Sequence, residues 1–93
     1  MAPTKTTTKK AAMRAYVLIE AAAGKSKNVK ARLTKLKDGG SHVVALDAVT
    51  GPYDFIAVIE GPTIDAIGRL VTDGIGSIDG VTRTTTCVAV AIG

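Results

Sequence analysis

Apolar residues recur along this chain with two different periods, and the points where one gives way to the other mark the elements. Met13 to Ala22, MRAYVLIEAA, is nearly continuous in strand formers and predicts a first strand. After Gly24 the chain turns polar. Val29, Leu33 and Leu36 then recur at i, i+4 and i+7, which places three apolar side chains on one helical face and leaves Lys and Arg on the other. Asp38, Gly39 and Gly40 end this helix, since glycine accepts the left-handed backbone found just past a helix end. Val43 to Thr50 and Tyr53 to Glu60 predict two strands paired as an antiparallel hairpin. Thr63 is suited to cap a second helix, and Asp65 to its positive end. Ile64, Ile67, Val71 and Ile75, with Leu70 beside them, form the stripe of that helix. Gly68, Gly74 and Gly76 each cost about 1 kcal/mol relative to alanine, so its last turn is expected to be weak or unwound. Gly80 leads into a final strand, VTRTTTCVAVAI.

The order strand, helix, strand, strand, helix, strand is the split pattern of a ferredoxin-like α+β domain. It predicts a βαββαβ chain with a four-stranded antiparallel sheet and two helices on one face. Two helices cover one face only, yet the hairpin strands carry apolar groups on both. Val43, Ala45 and Val49 alternate with Val44, Leu46 and Ala48, and Phe55, Ala57 and Ile59 alternate with Ile56 and Val58. A sheet face this apolar exceeds what a monomer ordinarily exposes, so a second subunit is expected to cover it, sheet on sheet.

Composition narrows the function. Ninety-three residues make one domain, whose core is built from Val, Ile, Leu and Ala because only three residues are aromatic. No aromatic platform for nucleic-acid bases exists. The formal charge is +4, and the basic excess lies early: Lys5, Lys9, Lys10 and Arg14, then Lys25, Lys27, Lys30, Arg32, Lys35 and Lys37, with only Arg69 and Arg83 after Asp38. Cys87 is alone, which rules out an intrachain disulfide and a cysteine metal cluster and fits a reducing, cytoplasmic setting. It reads as a buried structural thiol. No stretch is long enough to span a membrane, and MAPTKTTTKKAA lacks the apolar centre of a secretory signal. Residues 1–12 show no apolar periodicity and read as a mobile basic tail, leaving residues 13–93 as the domain.

Four pieces of the chain carry a resemblance: AYVLIEAAAGK, the hairpin VTGPYDFIAVIEG, the helix IDAIGRLVTDGIGSIDGV and the strand TRTTTCVAV. Together they are similar to the ligand-binding domain of the leucine-responsive regulatory protein/AsnC family, also called the RAM domain, over roughly Ala15 to Val90. The hairpin is the most specific piece. The resemblance implies a dimeric α/β-barrel assembling into octamers or decamers, with an amino-acid effector bound at contacts between dimers. Full-length members join this domain to a DNA-binding winged helix-turn-helix, and the short stretch before the first strand offers no room for one. A stand-alone module is therefore expected, without sequence-specific DNA binding of its own, acting through oligomerisation or mixed assembly with full-length regulators.

In the family the loop corresponding to Gly51, Tyr53 and Asp54 lines the effector pocket. An α-amino acid presents an ammonium beside a carboxylate, so its site needs an anionic acceptor and a set of donors. The resemblance assigns the ammonium to Asp54, the carboxylate to backbone N–H groups near Gly51, a wall of the pocket to Tyr53, and added hydroxyls to Thr84 and Thr86, which share a face by the period of two. Plainer readings stand beside these. Asp54 is suited to bond to its own turn, Tyr53 to pack the hairpin, and the threonines to serve strand propensity. Arg83 and Glu60 read as exposed ion partners, and His42 as a surface residue. No catalytic residue, metal ligand or cofactor is expected.

The first helix departs from relatives in being almost purely basic, which suggests contact with an acidic partner or nonspecific contact with nucleic acid. Two other functions compete with the sensor. Dimeric ferredoxin-like barrels include small monooxygenases and isomerases, which need polar groups inside the barrel where this chain is aliphatic. An assembly protein with a degenerate pocket is the second. An RNA-recognition motif would need strand aromatics beyond Phe55, a copper carrier a second cysteine, and an acylphosphatase an arginine in the loop AAAGKSKN.

Overall fold

Alternation along the central strand organises the molecule. In the computed structural model, which describes residues 13–92, Met13–Ala21 forms β1 and buries Ala15, Val17 and Ile19 on one face. The expected basic tail, residues 1–12, lies outside the described residues. β1 is flanked on one side by β4 (Phe55–Gly61) and on the other by β5 (Val81–Val88), both antiparallel. β4 keeps the same period, with Phe55, Ala57 and Ile59 buried and registered against Ile19, Val17 and Ala15. β3 (Ser41–Ala48) pairs with the outer edge of β4, giving the ferredoxin-like order β3-β4-β1-β5.

A fifth strand extends this sheet beyond the expected four. Lys37–Asp38 forms β2 and pairs with His42 and Ser41 around Gly39 and Gly40, whose φ angles of 58° and 86° make the tight reversal. The first helix is correspondingly shorter than its apolar spacing predicts. α1 (Ser26–Leu33) buries Val29 and Leu33, and the chain then tightens, with Leu36 N–H donating to the Leu33 carbonyl at 3.2 Å. Leu36 still packs on the core, from the turn rather than from the helix.

β3 also breaks its expected alternation. Val43 pairs with Ile59 and Ala45 with Val58, so Val44 is an extra, bulged residue. Val43 therefore shares the helix-facing side with Leu46 and Ala48, while Ala45 turns to the open side with Asp47. The expectation that Val43 and Ala45 face the same way is corrected by that one residue.

Thr63 caps α2 (Ile64–Arg69), its Oγ1 accepting from Ala66 N–H at 3.0 Å. The glycines have the expected effect: the helix loosens into a π turn over Leu70–Gly74 and a 3-10 turn over Ile75–Ser77. Ile67, Leu70, Val71 and Ile75 join the core, whereas Ile64, expected in the same stripe, is exposed. Each fully buried Val, Leu or Ile contributes about 1.5–3 kcal/mol, and these residues hold both helices on one face of the sheet.

Candidate functional site

The β3–β4 connection, Val49 to Asp54, is longer than a tight hairpin and is fastened at its base. Val49 N–H donates to the Asp54 carbonyl at 2.9 Å, and Asp54 N–H donates to the Ile19 carbonyl at 2.8 Å. Gly51 sits within it at φ 131°, a backbone conformation that only glycine adopts without strain. The Asp54 carboxylate reaches β1, where Oδ2 accepts from Ala21 N–H at 2.7 Å. That bond meets the chain where β1 slips register against β5, between Glu20 and Ala21. The Asp54 side chain thus holds the end of the central strand, while its backbone carbonyl closes the loop.

Tyr53 crosses β1 to reach the far edge of the sheet. Its hydroxyl lies 2.8 Å from Thr85 Oγ1 on β5, and the Arg83 guanidinium sits 5.9 Å from its ring centroid, within cation–π range. Thr85 pairs with Leu18 and Arg83 with Glu20, all on the sheet face away from the helices; Cys87, expected to be buried, pairs with Tyr16 on that same face and is exposed. Thr84 and Thr86 pair with Ile19 and Val17 and so lie on the helix-facing side. The structure brings Tyr53 and Asp54 to opposite flanks of the β1 end, adds Arg83 and Thr85, and leaves Thr84 and Thr86 on the other face. The run TRTTTC offers both phases equally, so only pairing with β1 distinguishes them.

The Asp54 carboxylate, the Arg83 guanidinium and the Tyr53–Thr85 hydroxyl pair are therefore each anchored at or beside the end of β1. The open sheet face continues from there as Leu18, Ile56, Tyr16, Val58 and Ala45 and ends in an ionic row, where Arg14 Nη2 bonds Glu60 Oε2 at 2.6 Å beside His42. That hydrogen bond and the Glu60 charge raise the Arg14 pKa above its ordinary value. Among the described residues no group of His, Cys, Asp and Glu is placed to hold a metal ion, and no helix is long and apolar enough to cross a membrane.

Residues 14–92 match the family model described as the Lrp/AsnC ligand binding domain. The chain belongs to this family. A Thermus thermophilus protein, TTHA0845, is 30% identical, with a TM-score of 0.77 over 87% of this chain and 96% of that one. Escherichia coli AsnC is 20% identical, with a TM-score of 0.79 over 99% of this chain but 61% of its own length. A transcriptional regulator of Neisseria meningitidis, NMB0573, solved in complex with L-Met, is 16% identical, with a TM-score of 0.77 over 95% of this chain and 58% of that one. These last two share the fold. None of the curated protein sequences compared matches the chain. The Lrp/AsnC assignment agrees with the βαββαβ order and the helix-free sheet face, and makes this a regulatory ligand-binding module.

Proposed function

We propose that the protein is a non-enzymatic amino-acid sensor that acts by changing its assembly, with itself or with full-length Lrp/AsnC regulators. The observation that carries this reading is that Asp54, bonded to Ala21 N–H, and Arg83, held over the Tyr53 ring and registered with Glu20, both stand at the β1 end, with the Tyr53–Thr85 hydroxyl pair beside them. A zwitterion fits such a site by placing its ammonium at Asp54 and its carboxylate at Arg83. Gly51 leaves open space where a side chain would stand, so backbone N–H groups of the loop are approachable. The proposed site takes Thr85 rather than Thr84 and Thr86, because Thr85 shares the face of the Tyr53 hydroxyl. Another copy of the chain completes its walls, which couples occupancy to assembly into dimers and then octamers or decamers. The complex of the Neisseria regulator with L-Met supports an amino acid as the ligand class.

The test is thermal unfolding against the twenty amino acids. A ligand that binds only the folded state raises the melting temperature with concentration. Asp54→Asn is the informative variant, because the amide oxygen keeps an acceptor for Ala21 N–H while the charge is lost. One or a few amino acids should stabilise the wild type, and the shift should vanish in both Asp54→Asn and Arg83→Gln. No shift with any amino acid would overturn the reading.

A further inference from the structure

The open sheet face and its site leave the opposite side of the molecule unexplained. α1 and the turn after it carry Lys27, Lys30, Arg32, Lys35 and Lys37, all exposed, and none forms an ion pair with a carboxylate among the described residues. Only Lys25 of this run is paired, with Asp79 at 2.9 Å. The helical period puts Lys27 opposite the buried Val29–Leu33 stripe and Lys30 and Arg32 on its two shoulders. Arg69 of α2 extends the surface: its Nη1 lies 3.7 Å from where a Cβ on Gly39, in the turn that follows Lys37, would stand. Asp38 and Asp73 border this surface; Asp73 lines a shallow depression with Arg32 and Lys35.

Helix stability accounts for part of this charge. Lys30 and Arg32 lie in the last turn, where the backbone dipole favours cations, but Lys27 lies in the first turn, where it disfavours them. We propose that this basic face binds the phosphate backbone of duplex nucleic acid without reading its sequence. Two observations select that partner. The surface carries no exposed aromatic side chain, and its exposed large apolar groups stand only at the margins, Val44 beside Thr34 and Ile64 at the start of α2, so it lacks the central anchors that a protein interface or a single-stranded base-stacking site needs. It also lies on the helix layer, so it stays free when the open sheet face is covered, and an assembly presents several copies to one polyanion. This inference is independent of the amino-acid site.

The experiment titrates the full chain with random-sequence double-stranded DNA of about 20 base pairs over a salt series, beside Lys27→Gln/Lys30→Gln/Lys35→Gln. Affinity for the wild type should fall steeply with salt; the triple variant should bind at least about tenfold more weakly and lower the log–log salt slope by about 2–3. All three side chains are exposed, so the variant should keep the wild-type melting temperature. The proposal is overturned by absence of binding at low salt or by a triple variant that binds as the wild type does. It is equally overturned if Lys5→Gln/Lys9→Gln/Lys10→Gln alone abolishes binding. Tighter binding of poly-glutamate than of the DNA at equal charge and salt would overturn it and assign the surface to an acidic protein instead.

Discussion

Ser41 is buried, yet its Oγ has no hydrogen-bond partner among the described residues. It projects over Gly61 at the end of β4, occupying the space that any side chain there would need, beside Ile67. A buried hydroxyl without a partner costs about 1–3 kcal/mol, so Ser41→Ala should raise unfolding free energy by about 1 kcal/mol. The check is a higher urea midpoint at unchanged slope; a lower midpoint would mean that the hydroxyl is bonded. Gly61→Ala should destabilise, and less so in the Ser41→Ala background, because the two positions share one space. Nothing in the sequence around Ser41 announces this contact: Gly-Gly-Ser reads as solvent-facing turn chemistry, and the burial comes from a helix packed above it. Tyr53 and Asp54 were legible as residues in excess of what a turn needs. Their partners were not, since Ala21 and Thr85 lie 33 and 32 residues away and are selected by strand pairing.

α1 is tied to the start of β5 through one residue. Asp79 accepts from Lys25 Nζ at 2.9 Å, and its carbonyl accepts from Asn28 Nδ2 at 2.9 Å. The Lys25 hydrogen bond and charge hold the Asp79 carboxyl below its ordinary range, and the Asp79 carboxylate in turn raises the Lys25 pKa. The pair's stabilisation is thus complete above the unfolded aspartate pKa and is lost as pH falls through the lowered folded value. On the alkaline side it is lost as pH rises through the raised lysine value. Both side chains are exposed, so the effect is small and screened by salt. Asp79→Asn should slightly lower the melting temperature at neutral pH and leave it unchanged at a pH below the folded carboxyl value; an equal loss at both would assign the role to the backbone bond. At this scale the sequence was most readable where one period ran unbroken, as in β1, β4 and the capped start of α2. It was least readable where one residue changed the phase: Val44 inverts the facing of β3, and the stop after Leu33 converts the expected end of α1 into a turn and β2. Exposed Ile64 shows the same limit: its spacing joins it to the stripe of Ile67, Val71 and Ile75, yet it is exposed while they are buried.

The molecule as a whole has one covered and one uncovered sheet face. On the uncovered side Leu18, Ile56 and Val58 are only half-buried and Tyr16 is 39% exposed, although these are the central residues of the central strands. Charged groups ring them: Glu20 and Arg83 at one end, Glu60 and Arg14 at the other, with the polar His42 beside Glu60. An apolar centre with an ionic rim suits an isologous contact with a second copy, which would bury the same residues twice. Val58→Glu places a charge at that centre without touching the core, since Val58 points away from buried Ala57 and Ile59. Sedimentation should give at least twice the chain mass for the wild type and the single-chain mass for the variant, with secondary structure retained. A wild type that sediments as a monomer would remove the sheet-on-sheet contact. The proposed amino-acid site adjoins this face through Thr85 and Leu18, so on that proposal the same variant should also lose the ligand-induced rise in melting temperature. Loss of assembly with ligand binding intact would place the site within a single chain.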